Sequence, residues 1–168
     1  MTASEVSATE PDWHREQPER FWDPGRKLLR SIRGYQRWNA RRGPIAWLVK
    51  RTYVLRHRFW SVVTAADIPI NTQIGGGLLL THPTGVVVHP TAKIGVNCLL
   101  FQQVTLVENV VVGGHVDIGA GAKILRPVHI GNHAQIGGNA VVLHDVPERG
   151  IAVGIPARVL DRAVQSSS

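Results

Sequence analysis

Residues 88–142 read VHPTAKIGVNCLLFQQVTLVENVVVGGHVDIGAGAKILRPVHIGNHAQIGGNAVV. Every sixth residue in this stretch is a branched aliphatic: Val88, Ile94, Leu100, Leu106, Val112, Ile118, Ile124, Ile130, Ile136 and Val142. Two positions before each of these, from Ile94 onward, stands a second small or apolar residue, among them Ala92, Cys98, Val104, Val116, Ala134 and Ala140. A helix has a period of 3.6 and an amphipathic strand a period of two, so a sustained period of six belongs to neither. It predicts a solenoid of short strands with one aliphatic side chain filling the interior at each step and tight corners between. Glycine often follows the aliphatic, as at Gly95, Gly113, Gly119, Gly131 and Gly137, and is expected to serve those corners through its tolerance of positive φ. No coil covers its own apolar face, so successive coils must stack into one continuous core.

The phase extends upstream through Ile68, Ile74 and Leu80, slips by two residues across THPTGVV, and resumes at Val88. Extra residues in a regular solenoid must be pushed outward at a corner, and functional groups collect at such irregular points. The displaced segment carries His82.

At these residues the chain resembles a known family. ADIPI (66–70), IGGGLLLTHPTGVVVHPTAKIG (74–95), QQVTL (102–106), IGAGAKIL (118–125) and VGIPARVL (153–160) are similar to the catalytic domain of serine O-acetyltransferases, members of the hexapeptide-repeat acyltransferases. The resemblance implies a left-handed parallel β-helix, acetyl-CoA as donor, and a homotrimer. It also implies site residues. His82 matches the family's general base, and Asp67 matches the carboxylate that orients it; a neutral imidazole suits removal of a hydroxyl proton. Ala120 and Gly138 match positions whose backbone holds the pantetheine arm, Gln135 stands at a family lysine, and Arg158 falls in the closing P-A-R segment, within reach of CoA phosphate or covering the last coil.

Departures from the family bear on the acceptor. Thr81 stands where an aspartate precedes the catalytic histidine, Val107 replaces a glycine near the thioester, and the glycine-rich loop after QQVTL is missing. Asn109 falls where that loop's histidine would be, and its arginine has no evident substitute. Acetylation of serine therefore stands beside two alternatives: O-acetylation of a polysaccharide or lipid-linked glycan, and a non-catalytic hexapeptide scaffold.

The N-terminal third differs in kind. Residues 13–60 hold all five tryptophans and 13 of the 19 Lys and Arg, against Glu16, Glu19 and Asp23. Asp23-Pro24-Gly25 announces a helix from about Arg26 to Ala40, and Gly43-Pro44 a second to about Val63. In the second, Ile45, Leu48, Thr52, Leu55 and Phe59 form a mostly apolar face. That face is expected to pack on the first coil and cap the solenoid; the sharper alternative is approach to an anionic membrane surface. This helical region is shorter than the family's, which implies a single trimer.

The expected organisation is a disordered 1–12, a basic Trp-rich helical region 13–63, a β-helix acyltransferase domain 64–162 and a polar tail 163–168. The formal net charge of +7 comes with no nucleic-acid recognition motif, so no nucleic-acid partner is expected. Cys98, the single cysteine, excludes an intrachain disulfide. The histidines of the repeat lack a recurring ligand spacing, so no metal is expected. With a polar start and no apolar run of membrane length, a cytoplasmic enzyme is expected, with the inner face of the membrane as its alternative setting. The ending QSSS is unlike the isoleucine tail through which family members dock on the next enzyme of cysteine synthesis.

Overall fold

The computed structural model describes residues 6–160; the polar tail expected at 163–168 lies outside the described residues. Twelve two-residue strands wind into a parallel solenoid of about four coils with three flat faces. The first face stacks β1 (Gln73–Ile74), β4 (Lys93–Ile94), β7 (Val111–Val112) and β10 (His129–Ile130). The second stacks β2 (Leu79–Leu80), β5 (Leu99–Leu100), β8 (Asp117–Ile118) and β11 (Gln135–Ile136), followed by β13 (Ile151–Val153). The third stacks β3 (Val87–Val88), β6 (Thr105–Leu106), β9 (Lys123–Ile124) and β12 (Val141–Val142). β14 (Arg158–Leu160) closes the second face antiparallel to β13.

The second residue of each of the twelve strands is the aliphatic of the six-residue series, and all of them are buried. Each stabilises the stack by roughly 1.5–3 kcal/mol through burial. The phase slip appears as a change of register. Residue 73 pairs with 93 and 79 with 99, whereas 87 pairs with 105, so the first coil carries two extra residues between β2 and β3.

The glycines that follow the aliphatics do a different job from the one expected. Gly95, Gly113, Gly119, Gly131 and Gly137 do not adopt positive φ; the left-handed corner positions are held mostly by Asn97, Gln103, Asn109, His115, His133 and Asn139. These glycines instead let adjacent coils touch. A Cβ on Gly75 would lie 2.5 Å from the Gly95 carbonyl carbon, and one on Gly119 would lie 2.6 Å from Gly138 N.

Two helices precede the solenoid. α1 (Pro24–Asn39) is capped by the Asp23 carboxylate, which accepts from Arg26 N at 3.3 Å, and buries Leu28, Leu29 and Ile32 in the same core as the first coil. α2 (Pro44–Thr64) packs on α1, with the Tyr53 ring against Gly34 and the Trp60 ring under Lys27. The expectation that α2 lays its apolar face on the first coil is not met: α1 covers the solenoid, and Ile45, Leu48, Leu55 and Phe59 face solvent. A helix that already has a partner on one side turns its remaining face outward.

Residues 6–12, expected to be disordered, run along the corner between the first and second faces. The buried Asn97 side chain accepts from Asp12 N and donates to the carbonyls of Ser7 and Glu10. Just beyond, Glu16 accepts from Gly77 N and Leu78 N and pairs with Arg33 at 2.7 Å, while Arg33 also donates to the carbonyls of Ile74 and Gly75. This clamp ties the N-terminal segment, α1 and the first coil together.

Candidate active site

The extra residues of the first coil bring His82 to the edge between the second and third faces. Its backbone sits at φ 52, a left-handed conformation uncommon for a residue other than glycine, and its side chain is exposed. It lines a cleft of about 530 Å³ together with Thr84 and the end of α2 at Val63. The opposite wall comes from the segment ahead of α1 and from its first turn: Glu19, Arg20, Trp22, Asp23 and Arg26. Arg26 bridges Glu19 at 2.8 Å and Asp23 at 3.1 Å. Burial opposes the charge on Arg26, but hydrogen bonds to Asp23 and Glu19 outweigh it and raise its pKa.

These wall residues escaped the sequence reading. They lie outside the repeat, and their place depends on how α1 docks. They bear on the acceptor, because acids and arginines stand in the cleft beside His82 although the family's loop is missing.

Along the edge that His82 opens, each coil stacks on the last through backbone hydrogen bonds: Gln103 N to Thr84 O, Gly121 N to Gln102 O, and Asn139 N to Ala120 O. Ala120 and Gly138 therefore share one edge with His82, two and three coils away, about 10 and 14 Å at the usual strand spacing. Gly138 is exposed, and a Cβ added there would meet only Ala120 O, at 3.4 Å, so the backbone of this edge is open to a ligand. One coil above His82, Gln102 Oε1 is buried without a hydrogen-bond partner.

The other expected residues are placed as follows. Asp67 pairs through its backbone with Val86 and Val88 at the start of the third face, and its side chain is exposed. No hydrogen bond joins it to His82. Gln135 points outward on the second face, paired with Asp117 and Ile151, and Arg158 is exposed on β14 opposite Val153. Asn109 turns an ordinary corner, its N–H donating to Thr91 Oγ1, on the far side of the third face from His82. The chain runs from β6 through that corner into β7 without an extruded loop. Among the described residues no group of three or more His, Cys, Asp or Glu is placed to hold a metal ion.

Comparison with known proteins points to one family. A curated serine acetyltransferase from Mycobacterium tuberculosis is 37% identical over 132 residues, covering 71% of this chain and 58% of its own. The solved soybean serine acetyltransferase complexed with serine matches with a TM-score of 0.68 at 36% identity, over 82% of this chain and 57% of its own. A serine acetyltransferase in complex with CoA matches with a TM-score of 0.69 at 35% identity, over 83% and 57%. The chain is a serine acetyltransferase-like member of the hexapeptide-repeat acyltransferase family. Its solenoid is accordingly the left-handed parallel β-helix of these enzymes. No family model matches the chain. It spans between 40% and 58% of the length of the first curated relatives it matches.

Proposed function

We propose that this protein transfers an acetyl group from acetyl-CoA to a hydroxyl, with His82 as general base. The observation that carries the reading is the position of His82, at the one lengthened coil, on the same edge as the open backbone of Ala120 and Gly138. A donor laid along that edge brings its thioester toward the imidazole. His82 removes the acceptor's hydroxyl proton as the oxygen attacks the thioester carbonyl carbon. The tetrahedral intermediate then expels the CoA sulfur, which takes the proton back from the imidazolium, so protons and charge balance at the end of the cycle. Such a base accelerates the step by about 10²- to 10⁴-fold. Asp67 serves as the positioning carboxylate for His82, and Gln135 and Arg158 extend the donor site along the second face.

L-Serine is the acceptor best supported. The cleft beside His82 is lined by charged groups of both signs, Glu19, Arg20, Asp23 and Arg26, which suits a zwitterion, and one structural neighbour is a serine acetyltransferase complexed with serine. A saccharide hydroxyl is the second reading, supported by the direct turn at residues 107–109 where the family carries its loop. The working form is a homotrimer in the cytoplasm, where acetyl-CoA is made, with an anionic membrane surface as a further partner. Release of CoA thiol on incubation with acetyl-CoA and L-serine, beside a panel of sugars, tests the reading and separates the two acceptors; light scattering tests the trimer.

A further inference from the structure

α2 turns its most apolar face into solvent. Leu48, Leu55, Phe59 and Val62 are 61%, 63%, 57% and 82% exposed, and with Ile45 and Thr52 they recur at three- and four-residue intervals along one side of the helix. A contiguous apolar stripe of this kind marks an interaction surface, whereas single exposed aliphatics do not. Exposed arginines flank it, Arg51 and Arg58 on one side and Arg56 on the other by helical spacing. Arg51 also stacks over exposed Trp47, 5.4 Å from the ring centroid.

The charge around the stripe has one sign. Residues 24–66 contain eleven Lys and Arg and no Asp or Glu. Two of the eleven are paired, Arg26 with Glu19 and Asp23 and Arg33 with Glu16; the other nine have no ion-pair partner among the described residues. A second copy of α2 packed on this face would set Arg51, Arg56 and Arg58 against cations of their own kind, with no carboxylate on either helix to pair them. A surface of lipid phosphates with acyl chains beneath satisfies the arginines and the stripe together.

We propose that the outer face of α2 docks on an anionic lipid surface, with the apolar stripe entering the interface and the arginines at headgroup level. The stripe ends at Val62, and its neighbour Val63 lines the His82 cleft. Beside that cleft stand Phe21, 90% exposed, and Trp22, 62% exposed, the latter edge-on to Trp60 of α2. A docked α2 therefore holds the mouth of the cleft at the membrane surface, where a lipid-linked hydroxyl would be within reach. The docking rests on α2 alone and does not depend on His82 being the base.

Flotation of the full chain with phosphatidylcholine vesicles, and with vesicles in which part of that lipid is replaced by phosphatidylglycerol, tests the proposal. Two variants change only exposed side chains: L48S/L55S/F59S and R51E/R58E. Wild type is expected to float with the anionic vesicles alone and to be released by salt, and each variant should bind at least about tenfold more weakly. CoA-release activity on a soluble acceptor is expected to be unchanged in both variants. Absence of flotation overturns the proposal. So does binding lost in R51E/R58E but kept in L48S/L55S/F59S, which is charge attraction without insertion. A doubling of the oligomer's mass that L48S/L55S/F59S abolishes gives the face to a second copy and overturns it as well.

Discussion

Breaking the Glu16–Arg33 clamp should loosen the N-terminal segment and α1 from the first coil. Glu16 is 9% exposed and accepts four hydrogen bonds, two from Arg33 at 2.7 and 3.0 Å and two from the backbone of Gly77 and Leu78 at 2.9 and 3.2 Å. Glu16→Ala removes all four and leaves a largely buried guanidinium without its counter-charge, a change that costs about 3–5 kcal/mol. Arg33 keeps its bonds to the carbonyls of Ile74 and Gly75, both 2.6 Å, which places the loss toward the lower end of that range. Arg33→Ala should cost a similar amount, because it strips those two carbonyls as well as Glu16. In the double variant the charge is removed along with its partner, so the combined loss should fall short of the sum by about 2 kcal/mol. Urea unfolding followed by circular dichroism measures all three. A coupling below about 0.5 kcal/mol would show that the two side chains do not meet, and would refute the clamp.

Further outcomes follow from single residues. Ile118 is fully buried between Leu100 and Ile136, so Ile118→Ala should cost about 2–5 kcal/mol in the same assay, and Ile118→Asp should prevent folding. Asn97→Ala removes the three hydrogen bonds that hold residues 7–12 to the corner and should expose that segment to limited proteolysis while the solenoid resists. Burial pushes the Cys98 thiol up to about 11, so it should react with a thiol reagent at pH 8 only after denaturation. Because the folded value lies above the unfolded one, the contribution of Cys98 to stability is intact below about pH 9 and is lost as pH rises toward 11. Asp67→Asn should lower the turnover number more than it changes the Michaelis constant for acetyl-CoA, and a pH–rate profile shifted from wild type would separate a positioning role from a structural one.

The solenoid was legible in the sequence because its signal is local and repeated: each coil states the same inward residue, and a slip of two at residues 81–87 shows as a broken phase. His82, Ala120 and Gly138 were singled out by the family resemblance rather than by the repeat, and it is the stacking of the coils in the structure that sets them along one edge. What the sequence left out are contacts made once, between segments far apart. Asn97 holding Ser7 and Glu10, or Asp23 and Glu19 walling the cleft beside His82, leave no periodic trace. The spacing of Leu48, Leu55 and Phe59 showed that α2 has an apolar face but not what covers it, and the structure leaves it uncovered. Glycine was read through its φ, whereas Gly75 and Gly119 are required by the approach of the next coil.

The most direct test of the catalytic reading is CoA release by wild type and by His82→Ala, with acetyl-CoA and L-serine or a sugar acceptor. Wild type should turn over on one of them, and His82→Ala should fall by about 10²-fold or more while still binding acetyl-CoA. Turnover by His82→Ala at the wild-type rate, or none by wild type on any acceptor, would contradict it.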